Sequence, residues 1–337
     1  MPIPGRATTF TYGTLGNDII YAQYLDGDLI DGLAGDDIIF GMDSTDIYNS
    51  TGSDWLYGGD GRDTIYGLGG HDAIFGGSGN DKIYGGAGND AMHPDGAIIG
   101  NDFMDGGDGF DTVIYYDSGA TRGVRVDLRI TSAQDTGGAG RDTIRNVEIV
   151  YGTYFNDTIT GNAADNQLYG VAGADTLNGG DGNDGLYAGF GLDLAGDTLN
   201  GGNGNDFLSG SGNADKLNGG SGDDVLIGYA GADTLTGGSG LDRFDFINTA
   251  DYNPALVDRI TDFNGAEDLI VLWGSNPNVF IGSDAFSASG VSELRVTSNA
   301  GAQLVEYDTN GNGVADMKIN VVGTTLVADD FLFSYWV

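Results

Sequence analysis

Cysteine is absent from the 337 residues, so neither disulfides nor thiolate chemistry contribute to this chain. Histidine is nearly absent: His71 and His93 are the two present, and neither belongs to the H-E-x-x-H pattern of a zinc hydrolase helix. Lysine and arginine number 13 against 50 aspartates and glutamates, for a net charge of −37. Such a polyanion repels a phosphate backbone, which excludes nucleic acid as a partner. No apolar run approaches the roughly 18 residues of a membrane-spanning helix. The opening MPIPGRATTF does not read as a signal peptide, so export by that route is not expected.

What is present is glycine, at 62 positions, and aspartate in a fixed phase. The chain repeats every nine residues as Gly-Gly-x-Gly-x-Asp-x-U-x, with U a large aliphatic. From Gly58 to His93 it reads GGDGRDTIY, GLGGHDAIF, GGSGNDKIY and GGAGNDAMH. From Gly201 to Asp245 it reads GGNGNDFLS, GSGNADKLN, GGSGDDVLI, GYAGADTLT and GGSGLDRFD. Glycines at the first, second and fourth places permit positive φ and a tight turn, and the eighth place supplies one inward side chain of a short strand. That place holds Ile20, Ile39, Leu56, Ile65, Ile74, Ile83 and Met92, then Leu177, Leu186, Leu199, Leu208, Leu217, Leu226 and Leu235. Nine residues make half a coil, so two turns and two strands close one coil, and coils stack about 4.8 Å apart. The predicted fold is all-β, with a core one residue thick.

The sixth place then forms rows of carboxylates at the turns. In the first half these are Asp18, Asp37, Asp54, Asp63, Asp72, Asp81, Asp90 and Asp111. In the second they are Asp157, Asp175, Asp184, Asp197, Asp206, Asp215, Asp224, Asp233 and Asp242, with Asn166 replacing one carboxylate by an amide. Stacked carboxylates repel one another or are forced to protonate, so a positive charge must lie between them. Carboxylate and carbonyl oxygens from flexible turns suit Ca²⁺, whereas Mg²⁺ is too small and holds its water too firmly. Isolated Gly-Asn-Asp clusters can form plain Asx turns, but repetition at constant phase argues for multiple stacked calcium sites. A chain this acidic and glycine-rich should not collapse without counter-ions, which makes calcium binding and folding one event.

The rhythm divides the chain. Residues 1–12 read as a lead-in strand, 13–111 as a first roll, 112–154 as a strand-rich insert, 155–242 as a second roll and 243–337 as a C-terminal cap. The first roll is irregular around Ala22–Asp31, Gly41–Ser53 and Pro94–Asp105, with a spacing slip between Asp46 and Asp54, and the second at Ala188–Gly196. The insert carries Arg122, Arg125, Arg129, Arg141 and Arg145 among Asp117, Asp127, Asp135, Asp142 and Glu148. Local salt bridges are the favoured reading there over an anion site. Val124, Val126, Leu128 and Ile130 alternate with polar residues, the period of a half-buried strand.

The nonapeptide is identified as a member of the RTX (repeats-in-toxin) class, which implies tandem calcium-stacked parallel β-rolls. After the repeats, RFDFINTADYNPALVDRITDFNGAEDLIVL and VEYDTNGNGVADMKINVVGTTLVADDFLF resemble the C-terminal region of serralysin-type secreted metalloproteases. That resemblance implies a C-terminal β-cap, a type I secretion exporter as partner and an extracellular location. The chain departs from the family by continuing past Asp329-Asp330-Phe331-Leu332-Phe333 into Ser334-Tyr335-Trp336-Val337. DTNGNGVAD, from Asp308 to Asp316, matches half an EF-hand loop, but Ile319 stands where a bidentate Glu is required, so it reads as a hairpin turn.

No catalytic residue emerges. Polyuronate epimerases and lipases carry such repeats behind a separate catalytic domain, and no repeat-free stretch here is long enough to be one. Ninth-place residues point outward, and in the first roll they include Tyr21, Phe40, Tyr57, Tyr66, Phe75 and Tyr84. Tyr57 with Phe75, and Tyr66 with Tyr84, should stack on opposite faces. Such ladders either bind a polysaccharide or cell-surface partner or stabilise a thin sheet across strands. The expected function is a non-enzymatic secreted calcium-binding protein of surface, matrix or host association. The alternatives are a carbohydrate-binding adhesin module, or the accessory region of a secreted enzyme whose catalytic part is absent.

Overall fold

The computed structural model describes residues 10–22, 28–41, 53–95, 99–116, 118–189, 195–247, 256–273, 278–287, 290–299 and 301–334. The irregular segments lie partly outside the described residues, as do Asp46, Asp117, Tyr335, Trp336 and Val337. Among the described residues the regular elements are strands, apart from one 3-10 turn at Ala328–Asp330. The chain forms two compact units, Met1–Asn162 with Leu168–Gly170, and Ala163–Gln167 with Val171–Val337.

In the first unit the nine-residue period becomes a parallel β-roll. Trp55–Gly61, Ala73–Gly79 and Ala91–Asp95 pair in parallel on one face, with Leu56 against Ile74 and Ile74 against Met92. Thr64–Gly69, Lys82–Ala87 and Phe103–Asp108 do the same on the other, with Ile65, Ile83 and Met104 in register. Leu56, Ile65, Ile74, Ile83, Met92 and Met104 are each fully buried. Each such side chain contributes about 1.5–3 kcal/mol of transfer free energy. The turns are tight enough to exclude side chains: Gly61 sits at φ 148°, where a Cβ would run into the Gly35 carbonyl of the neighbouring coil.

The predicted insert, 112–154, belongs largely to the roll, as its GGAGRDTIR repeat from Gly137 to Arg145 indicates. Thr112–Ile114 pairs in parallel with Ala91–Asp95 and with Ile149–Tyr151. Gly140–Arg145 extends the opposite face, setting Ile144 on Met104, and its other edge takes Gln134–Gly137 antiparallel. The half-buried strand is Arg125–Asp127, which pairs with Thr158–Thr160 and buries Val124, Val126 and Leu128. Arg129 forms an ion pair with Asp127 at 2.7 Å. Arg122, Arg141 and Arg145 instead donate to the carbonyls of Gly137, Ala133 and Thr131. Asp142 and Glu148 belong to the carboxylate rows described below.

The second unit repeats the design and then closes it. Thr198–Asn203, Lys216–Ser221 and Thr234–Ser239 stack through Leu199, Leu217 and Leu235, and Gly185–Gly189, Phe207–Ser209 and Val225–Ile227 through Leu186, Leu208 and Leu226. From Arg243 on, the buried side chains grow to Phe244, Phe246 and Phe263. Buried Asp245 is held by Arg243 at 2.7 Å and the Trp273 indole at 3.2 Å. Ser292–Asn299, Ala302–Asp308 and Met317–Gly323 form an antiparallel meander whose last strand pairs with Asp258–Phe263. Asp308–Asp316 is the connection between two antiparallel strands, and the Asp308 carboxylate accepts the amides of Gly311, Asn312 and Gly313.

Candidate metal centre

Within each row a sixth-place aspartate folds back into its turn, where Oδ1 accepts the amide of the sixth-place residue one coil earlier. One row runs from Asp18 through Asp37, Asp63, Asp81 and Asp102 to Asp142, with N···O distances of 2.7–2.9 Å. The other runs from Asp28 through Asp54, Asp72, Asp90 and Asp111 to Glu148, at 2.8–3.0 Å. In the second unit Asp175, Asp197, Asp215, Asp233 and Asp258 form one row, and Asn166, Asp184, Asp206, Asp224, Asp242 and Asp268 the other. Asp157 accepts the Val124 amide.

Every aspartate singled out in the sequence thus lies in such a turn. Asp28, Asp102, Asp142, Glu148, Asp258 and Asp268 were missed: Asp142 stands in an intact nonapeptide, GGAGRDTIR from Gly137 to Arg145, that falls inside the predicted insert, while around the others most of the glycines are lost. The surviving signal is an acid two residues before a buried aliphatic, as in Asp102-x-Met104, Asp142-x-Ile144, Asp258-x-Ile260 and Asp268-x-Ile270.

The second carboxylate oxygen is the informative one. In Asp37, Asp63, Asp72, Asp90 and Asp111, Oδ2 is buried and accepts no hydrogen bond among the described residues. The same is true of Asp184, Asp206, Asp224, Asp233 and Asp242. Burial, together with the neighbouring carboxylates in the row, pushes Asp72 and Asp233 up to about 8 and Asp63, Asp111, Asp184 and Asp224 up to about 7, although each Oδ1 amide bond pulls the other way. A side chain on Gly58 or Gly219 would meet both the Oδ2 of its own turn, Asp63 or Asp224, and the carbonyl oxygen of Gly76 or Gly237 in the next coil. Carboxylate and carbonyl oxygens therefore face a shared space without a donor. Among the described residues no three Asp, Glu, His or Cys side chains converge on one point. Paired carboxylates and backbone carbonyls make up a hard oxygen set of the kind that suits Ca²⁺.

A second ladder runs at the fifth place and was not read from the sequence. Asn80 accepts the Asn101 amide, Asn89 that of Phe110, Asn183 that of Asn205, and Asn205 that of Asp223. His71 fills the same role, accepting the Asn89 amide at Nδ1.

The ninth-place aromatics stack as their phase predicts. Tyr57 lies 4.4 Å from Phe75 at an interplanar angle of 4°, and Tyr66 lies 4.9 Å from Tyr84 at 7°. The second ladder extends back through Phe40 to Tyr21, and the first forward to His93. Ring faces inside each ladder are thereby covered by neighbouring rings. A sugar stacking on these faces would have to displace a neighbour.

Stacked half-coils with rows of buried, donor-free carboxylates define a calcium-type β-roll. The profile of the RTX calcium-binding nonapeptide repeat matches residues 25–51, 48–83, 66–96, 99–113, 151–186, 161–195, 194–226 and 209–244, together more than half of the chain. The chain belongs to this family, and calcium is its metal. The matches end at residue 244, before the C-terminal cap. No curated protein matches the chain. Among solved structures, the extracellular lipase LipA from Serratia marcescens aligns at 17% identity over 92% of this chain and 45% of the lipase, with a TM-score of 0.21. The chain thus spans less than half of that enzyme's length, and the lipase's activity is not carried over.

Proposed function

We propose that this is a non-enzymatic secreted protein whose rolls fold on meeting extracellular calcium and then serve in surface, matrix or host association. The observation that carries the reading is the set of buried aspartate Oδ2 atoms without a donor. Asp37, Asp63, Asp72, Asp90 and Asp111 in the first unit, and Asp184, Asp206, Asp224, Asp233 and Asp242 in the second, would hold the ions together with turn carbonyls. Bound calcium supplies the positive charge that these rows lack. Extracellular calcium modules bind at roughly 10⁻⁴–10⁻³ M, so the chain would stay unfolded in a calcium-poor cytosol and fold outside it. The resemblance of residues 243–337 to serralysin-type proteins supports a type I exporter as the partner that carries the unfolded chain. Deleting residues 280–337 should abolish export in a host carrying such an exporter, and undiminished secretion would refute that part of the reading.

The association role is tested by binding the folded protein to a panel of bacterial and host polysaccharides, with about 5 mM CaCl₂, above the weakest expected site, and again in EGTA. Calcium-dependent capture by a defined glycan supports it. A folded roll that binds none leaves a calcium-triggered scaffold or the accessory region of an enzyme as the better account.

A further inference from the structure

The turns are of two kinds. Where Oδ2 has no donor, the second-place residue sits at positive φ: Leu33 at 74°, Gly59 at 103°, Leu68 at 73°, Gly86 at 116° and Gly107 at 104° for the turns of Asp37, Asp63, Asp72, Asp90 and Asp111. In the second unit Gly180, Gly202, Gly220, Tyr229 and Gly238 do the same for Asp184, Asp206, Asp224, Asp233 and Asp242. Leu33, Leu68 and Tyr229 adopt a conformation that L side chains avoid. These turns therefore require the backbone shape itself, with or without glycine.

Thr14, Thr153 and Ser211 occupy the same second place and are not in the positive-φ region. The Thr153 amide donates to Asp157 Oδ2 at 2.6 Å, and its hydroxyl to Oδ1 at 2.9 Å. The Ser211 amide donates to Asp215 Oδ2 at 2.6 Å, while its hydroxyl donates to Asp197 Oδ2 at 3.0 Å, so the serine links carboxylates of successive coils. Thr14 closes Asp18 in the same way, with amide and hydroxyl 2.6 and 2.8 Å from Oδ2. Asp157 and Asp215 are 2% and 1% exposed, so these donors, not water, satisfy them.

An N–H aimed at Oδ2 takes one of its two lone pairs and presents positive charge to any ion approaching it. Turning that peptide over demands positive φ, a conformation that non-glycine residues avoid, although Leu33, Leu68, Val171 and Tyr229 adopt it at this place. We propose that Thr14, Thr153 and Ser211 stand in for calcium at their turns, which bind no ion and close without one. Asp18 begins its row among the described residues, and Asp157 takes its Oδ1 donor from Val124 and not from another aspartate. Thr14 and Thr153 thus provide a calcium-independent turn on which the next coil stacks.

This inference rests on the reading of the positive-φ turns as calcium turns, and the experiment separates the two. Crystals of the calcium-loaded chain soaked in TbCl₃ should show anomalous peaks at Oδ2 of Asp63, Asp72, Asp206, Asp224 and Asp242, and none at Asp157 or Asp215. A peak bonded to Oδ2 of Asp157 or Asp215 would overturn the stand-in role. Peaks at none of these residues would overturn the calcium reading itself. In solution, Ser211→Gly frees the backbone to turn over and should bind one more calcium per chain by equilibrium dialysis, whereas Ser211→Ala, whose Cβ still disfavours positive φ, should bind no more than the unsubstituted chain. An unchanged count for a folded Ser211→Gly protein counts against the inference.

Discussion

An aspartate with Oδ1 bonded and Oδ2 buried without a donor relieves its charge with a proton or a cation. Because burial raises the folded carboxyls of Asp63, Asp72, Asp224 and Asp233 to about 7 or 8 from an ordinary 3.8, protonation stabilises the calcium-free roll. That contribution is fully present below the unfolded value and is lost as the pH rises through about 7–8. In EGTA, circular dichroism should therefore show more β-structure at pH 5.5 than at pH 8 (the lower value chosen to stay above the pI of about 4.1), and equal spectra would contradict the argument. Asp224→Asn keeps the Oδ1 acceptor but removes the charge. At saturating calcium it should lose one bound ion and about 1–3 kcal/mol of stability in denaturant titration, the range for a buried polar group deprived of its partner. Asp157→Asn should lose no ion.

At the scale of the element, a strand contributes one inward side chain, so each coil depends on few contacts. Leu217→Ala should cost about 2–5 kcal/mol, because neighbours held by a parallel ladder on both sides cannot close the cavity. Gly220→Ala forces a Cβ against the Gly202 carbonyl at φ 119° and should raise the calcium needed for half-folding. Replacing Tyr57, Tyr66, Phe75 and Tyr84 by threonine tests the ladders: since the rings face one another, stability should fall while glycan binding, if present, survives. The sequence made the strands, the phase of the core and the aspartate rows legible because period nine projects them onto fixed positions. It hid the coil containing Glu148, since its turn replaces glycine with larger residues and only the acid-x-aliphatic spacing persists, whereas Asp142 stands in an intact GGAGRDTIR repeat that was legible although it lies in the predicted insert. It also hid the difference between Leu68 and Thr153, two non-glycine residues at the same place whose backbones take opposite conformations. That distinction is set by what the following carboxylate must be given, and no single position encodes it.

For the whole molecule, a charge of −37 and a glycine-rich chain oppose collapse, while a core one residue thick offers limited apolar burial in return. Under the proposed function, cations neutralise the rows of each unit, and calcium would enter as part of folding and not as a ligand of a finished fold. The most direct test is far-UV circular dichroism and thermal unfolding of the full chain at pH 7.5 across a calcium titration from EGTA to about 5 mM, a range that spans the affinities of extracellular calcium modules. The account predicts a disordered chain in EGTA and a cooperative gain of β-structure at roughly 10⁻⁴–10⁻³ M calcium. A native β spectrum in EGTA, with an unfolding temperature indifferent to calcium, would contradict it.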